Sequence, residues 1–171
     1  MVSQFEGTDF TIEHASSTDV FTLGFNTQKA PLNDVRVRTA LSMAIDGDSI
    51  VAAFYGDGKT LGGPITDIEP AFEDLTSINA YDPEAAKALL AEAGVENLEL
   101  TVTIPSFYAS DAINQVVTQF AEIGVKLTVN PVEFGTWLSD VYSAPEDATP
   151  RTFDLSYVNH AEANDFSNYT N

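Results

Sequence analysis

A chain of 171 residues that is 44% apolar is long enough to bury a core and too hydrophobic to be a disordered tail. It contains no Cys, which excludes disulfides, thiolate metal sites and a cysteine nucleophile, and no apolar run approaches the length of a membrane-spanning helix. Seven Lys and Arg stand against 26 Asp and Glu, and a net charge of −19 repels phosphate backbones and anionic lipid, so nucleic acid is excluded as a partner. The acids are spread along the chain and form no block, as on a surface built for solvation. The first ten residues lack a basic stretch followed by an apolar one, so no signal peptide is expected at this start.

Taken in chain order, Phe10 to Asn26 reads as two strands. Phe10 and Ile12 alternate with Thr11 and Glu13, and Val20–Phe25 follows a Ser-Ser-Thr-Asp turn. Pro31-Leu-Asn-Asp34 is a helix entry, because Asn33 or Asp34 can accept from the free N–H groups of a first turn. Behind it Val37, Ala40, Leu41, Ala44 and Ile45 share one helical face. Asp46-Gly-Asp48 ends that helix, and Asp48 is expected to cap a second through Ile50, Val51 and Phe54. Residues 56–63 read as a Gly-rich loop, and 66–80 as irregular and acidic.

Tyr81-Asp-Pro-Glu is the strongest helix start: Asp82 caps, Pro83 takes the first helical position, and Glu84 complements the dipole. Ala86, Leu89, Leu90 and Ala93 form its stripe, and Gly94 suits a left-handed stop. Leu98, Leu100, Val102 and Ile104 then alternate as a strand. A helix from about Asp111 carries Ile113, Val116, Val117, Phe120 and Ala121 to Gly124, and Val125, Leu127 and Val129 begin the next strand. Strand, helix, strand at these lengths is a βαβ unit with parallel strands. Trp137 to Tyr142 reads as a short helix, Phe153, Leu155 and Tyr157 as a last strand, and Asn159–Asn171 as a polar tail. The fold class is α/β, a mixed sheet with a βαβ unit flanked by helices.

In open α/β sheets ligands gather beyond the carboxyl ends of the strands. Here those ends are the loops 105–110, 130–135 and 159–168. Catalytic and phosphate-binding patterns are missing from them: there is no Walker loop, no GxGxxG opening a helix and no GxSxG elbow. Gly56-Asp-Gly58-Lys59-Thr60 lacks the first glycine of a phosphate loop and reads as a turn. The carboxyl-end loops instead hold aromatic residues and one polar cluster. Phe107 and Tyr108 suit an organic ligand, whereas Phe134 and Trp137 read as caps on the core of a short helix. The cluster Asn159-His160-Ala-Glu162-Ala-Asn164-Asp165 has three readings: a solvated acidic loop, a metal site, or a clamp for an ammonium group.

Three stretches carry a family resemblance. The first is Phe25-Asn26 with Pro31-Leu-Asn-Asp34-Val-Arg36-Val-Arg38-Thr-Ala40-Leu-Ser-Met-Ala44-Ile-Asp46. The second is Tyr81-Asp-Pro-Glu-Ala-Ala-Lys-Ala-Leu-Leu-Ala-Glu-Ala-Gly94. The third, shorter, is Gln119-Phe-Ala-Glu-Ile-Gly124-Val125, followed by Glu133 and Phe153-Asp154-Leu155. From about Phe10 onward the chain resembles the family 5 extracellular solute-binding proteins, the peptide- and nickel-binding components of ABC importers.

The resemblance implies one lobe of a bilobed clamshell that closes over its ligand, with residues 1–171 as a single second-lobe domain truncated at both ends. It implies capture of an oligopeptide or similar small solute outside the membrane, in the periplasm or on a lipid anchor, and delivery to the membrane subunits of an ABC importer. It implies neither a cofactor nor catalysis. The family's peptide binders place an acid after the last strand to grip the peptide's α-amino group. Glu162 matches that acid and Asp165 the Asp of a following Asp-Pro; Phe166 replaces the Pro, and Asn159 or His160 stands where Trp is usual. The resemblance thus gives Glu162, Asp165, Asn159 and His160 as ligand-binding residues, and their place in a carboxyl-end loop adds Phe107 and Tyr108. Arg36 and Arg38 read as structural contacts at the helix start rather than an anion site. The alternatives are a nickel-type metal site of His160, Glu162 and Asp165, and an acidic interaction or adhesion module.

Overall fold

The computed structural model describes residues 7, 9, 11, 13, 15–54, 56, 58–108, 111–142 and 151–160. Its strands are β1 (Val20–Phe25), β2 (Glu99–Pro105), β3 (Lys126–Val132) and β4 (Leu155–His160). The helices are α1 (Val35–Met43), α2 (Gly47–Phe54), α3 (Pro83–Glu92), α4 (Asp111–Glu122) and the single turn α5 (Phe134–Trp137). A 3₁₀ turn, Ser106–Tyr108, follows β2, and a π-type turn, Leu138–Tyr142, follows α5.

The four strands form one mixed sheet in the order β1-β4-β2-β3. β2 pairs in parallel with β3, from Glu99 opposite Lys126 to Pro105 opposite Val132, with α4 as the crossover. β4 lies parallel to β2 through Val102↔Leu155 and Thr103↔Ser156, and β1 runs antiparallel to β4. The expected βαβ unit and mixed sheet are therefore present. The last strand sits between the first strand and the βαβ unit, so the sheet closes only once the chain has run its course.

Strand alternation sends Leu100, Val102, Ile104, Leu127 and Leu155 to one face, where they meet Val37, Leu41, Leu90, Ile113 and Phe120. The helix ends follow the local chemistry. Asp34 caps α1, its carboxylate accepting from Arg36 N at 2.8 Å. Asp82 caps α3 through Ala85 N at 2.9 Å, Pro83 opens it, and Gly94 stops it at φ 71°. The Asp82 N–H also donates to Met43 O at 2.9 Å, which ties the start of α3 to the end of α1.

Several expectations are corrected. α2 is capped by Asp46, not Asp48: Asp46 Oδ1 accepts from Ser49 N at 3.0 Å, and Asp48 is exposed in the first turn. α4 buries Ala112 and Gln119 where Ala121 was expected; Ala121 faces solvent. Gln119 Oε1 accepts from Asp46 N at 3.2 Å, so this polar side chain is buried because it joins α4 to the start of α2. Phe153 lies before β4 rather than in it, its carbonyl taken by Asn26 Nδ2 at 2.9 Å. Of the strand expected at residues 10–13, Phe10 and Ile12 lie outside the described residues, while Thr11 and Glu13 are exposed and in no strand.

The Arg36–Arg38 motif is structural. Arg36 forks onto Asp34, with Nη2 to Oδ2 at 2.7 Å, and donates to Glu92 O at 3.1 Å; Arg38 Nη1 donates to Leu32 O at 2.8 Å. The side-chain hydrogen bond from Arg36, more than its charge, holds the Asp34 carboxyl below its ordinary range.

Candidate functional site

Because β2, β3 and β4 are parallel, their carboxyl ends share one edge of the sheet. β1 runs the other way, so it brings its first residues to the same edge, with Val20 opposite His160 and Phe21 opposite Asn159. The 3₁₀ turn after β2 and the helical turn after β3 both begin there. These two turns and the start of β1, distant in sequence, thus meet at one place.

What they bring together is aromatic. Phe21 stacks on Tyr157 at 5.5 Å between ring centroids and meets Tyr108 edge-on at 5.9 Å. Tyr108 packs on Phe107 at 4.5 Å, and Phe107 lies 5.8 Å from Phe134. Phe134 stacks on Trp137 at 5.8 Å with the planes 8° apart, and Trp137 reaches Tyr142 at 6.1 Å. The result is a continuous band of rings along the sheet edge. Its roots are buried, with Trp137 3% and Tyr157 8% exposed, and its crest is open, with Phe107 64% and Phe134 45% exposed. Offset and edge-to-face ring contacts of this kind are each worth about 0.5–1.5 kcal/mol beyond area burial, so the band is held without a ligand.

One hydrogen bond anchors it. Trp137 Nε1 donates to Ser156 Oγ at 3.0 Å, both groups buried. Ser156 points to the sheet face opposite Leu155, so the indole is pinned over that face and carries Phe134 on its other side. Trp137 is therefore the core cap expected of it, and Phe134 is not: it stands on the Trp137 ring and opens to solvent.

Phe107 and Tyr108 lie in the band as expected. Asn159 and His160 are the last residues of β4 rather than members of a loop after it, and alternation sends their side chains to opposite faces. Asn159 shares a face with Tyr157 and Phe21, and its Oδ1 is buried without a hydrogen-bond partner. An unpaired buried amide oxygen costs about 1–3 kcal/mol, which makes it the polar feature of this edge most in want of a donor. Glu162 and Asp165 lie outside the described residues. Among the described residues no group of three or more His, Asp or Glu is placed to hold a metal ion.

The sequence reading missed Phe21, Tyr142 and Tyr157 as parts of the site. Phe21 was legible as a strand residue, but its place beside Tyr108 depends on β1 pairing with a strand more than a hundred residues away. A separate shallow concavity, lined by Lys87, Leu90, Glu96, Asn97 and Val125 among others, lies at the amino ends of β2 and β3, away from the edge where the loops converge.

A profile of the bacterial extracellular solute-binding proteins, family 5, middle region, matches residues 2–165. The chain belongs to this family. Heme-binding protein A of Haemophilus influenzae is 38% identical over 120 residues, covering 66% of this chain and 22% of that protein. The dipeptide-binding protein of Escherichia coli is 35% identical over 124 residues, covering 68% and 23%. Among solved structures, the dipeptide-binding protein of Pseudoalteromonas sp. SM9913 in complex with Met-Leu superposes with a TM-score of 0.74 at 25% identity, covering 88% of this chain and 30% of that one. The chain thus spans about a quarter of the length of the curated relatives it matches.

Proposed function

We propose that this family 5 chain is the ligand-closing lobe of the substrate-binding component of an ABC-type importer. In this reading it captures oligopeptides outside the membrane, in the periplasm or on a lipid anchor, and passes them to the importer's membrane subunits. The observation that carries the reading is the exposed aromatic crest at the shared carboxyl edge of β2, β3 and β4, where a family of solute-binding proteins meets the general rule for ligand placement in open α/β sheets. Ring faces suit the side chains and planar amides of peptides. The chemistry of the edge is that of capture: it is apolar, with hydrogen-bonding groups around it, and the function proposed is binding without transformation. The rest of the pocket is assigned to a second lobe that closes against this edge, as hinge closure does in two-lobed binders.

Titration of the isotopically labelled chain with di- to pentapeptides, followed by amide NMR shifts, tests this. A complete clamshell holding a peptide at about micromolar has near −8 kcal/mol, and a lobe with half the contacts keeps about −4, or a Kd near millimolar. The expected result is weak, saturable binding with shifts centred on residues 106–108, 134–137 and 157–160. Micromolar affinity from this chain refutes the half-site picture, and no response to any peptide refutes peptide capture. A parallel arm with nickel reads the metal alternative: a saturable thermal shift with nickel and none with peptides replaces the peptide reading.

A further inference from the structure

We infer that the Phe107–Phe134 crest is a subsite for a cationic side chain, Lys or Arg, of the bound peptide. The inference rests on the peptide reading above and names the substrate class within it. Two observations carry it. First, Phe107 and Phe134 are the most open rings of the band, 64% and 45% exposed, and stand 5.8 Å apart with their planes tilted by 53°. A ring open to solvent presents the negative side of its quadrupole to whatever approaches its face, which attracts a cation.

Second, the charged residues that neighbour these rings in sequence, among the described residues, are acidic. Glu133 directly precedes Phe134 and is exposed; Asp140 is exposed in the turn that follows α5; Asp111 is exposed at the start of α4, three residues beyond Tyr108. Arg151 donates to Tyr142 O at 3.0 Å, at the other end of the band from Phe107. With a chain charge of −19 behind them, these groups favour approach of a positive ligand and disfavour a negative one.

A neutral aromatic side chain would use the rings and leave the acidic flank unanswered; a cation uses both.

The test is titration of the chain with Ala-Arg-Ala, Ala-citrulline-Ala and Ala-Phe-Ala at low and high salt. Citrulline keeps the shape and N–H groups of Arg and removes the charge. The Arg peptide is expected to bind about two- to fivefold tighter than the citrulline peptide, the range of an exposed cation–π contact, and to lose that margin at high salt. Phe107→Leu keeps the site apolar and removes the quadrupole; because Phe107 is largely exposed, the fold should tolerate it. It is expected to abolish the Arg-over-citrulline margin while the citrulline peptide still binds, and Phe134→Leu should do the same. Equal binding of Arg and citrulline peptides, a margin that survives Phe107→Leu, or tightest binding by Ala-Phe-Ala each overturns the cationic subsite and leaves peptide capture standing. If none of the three peptides binds, peptide capture fails and the subsite fails with it.

Discussion

Trp137 and Ser156 offer the sharpest test of how this edge is built. The indole N–H and the serine hydroxyl meet at 3.0 Å in a buried setting, and neither has another partner described. Trp137→Phe keeps the ring that stacks on Phe134 but orphans the Ser156 hydroxyl, at about 1–3 kcal/mol. The smaller ring also gives up roughly 40 Å² of buried surface, or about 1 kcal/mol at 25 cal/mol per Å². The single variant should therefore lose about 2–4 kcal/mol of unfolding free energy. Ser156→Ala orphans the indole N–H and should lose about 1–3 kcal/mol. The double variant leaves no orphan, so its loss should fall short of the sum by at least about 1 kcal/mol. Urea unfolding followed by far-UV circular dichroism measures all four proteins, including Trp137→Phe, which removes the chain's only tryptophan. Additivity within about 0.3 kcal/mol would show that the hydrogen bond does not hold the indole, and the argument for a pinned aromatic edge would fail.

Three further outcomes are expected. Asp46→Ala should lose about 1 kcal/mol by uncapping α2, whereas Asp48→Ala should lose under about 0.5; equal losses in urea unfolding would contradict the cap assignment. The Asp34 carboxyl is depressed by its bonds to Arg36, so its contribution is fully present above its ordinary value of 3.8 and is lost as pH falls through the depressed folded value. The stability gap between wild type and Asp34→Asn should accordingly be open at pH 7 and close below that value, and a gap that stays constant to pH 2 would refute it. Finally, self-repulsion among −19 charges is screened as the Debye length shrinks from about 10 Å at 0.1 M salt to about 3 Å at 1 M, so the melting temperature should rise over that range. A flat calorimetric series would show that the acids are already neutralised locally.

Local chemistry determined much of this protein in the sequence itself. Asp82-Pro83 starts α3 and Gly94 stops it because capping, fixed φ and a left-handed stop act over four or five neighbouring residues. The alternation of Leu98–Ile104 and the spacing in α4 announce the βαβ unit for the same reason: period is a short-range property. Asp46 rather than Asp48 as the cap was undecidable locally, since either carboxylate lies within reach of a first turn and the tie to Gln119 lies 73 residues away. The placement of β4 between β1 and β2 was likewise invisible, because strand pairing over such distances carries no local signal, and that pairing is what sets Phe21 beside Tyr108 and Asn159 opposite Phe21. The residues written at the strand ends thus named the chemistry, aromatic and acidic. Only the folded sheet, by running three strands parallel and one against them, gathered the rings into a single edge and decided which were buried as supports and which were left open to meet a ligand.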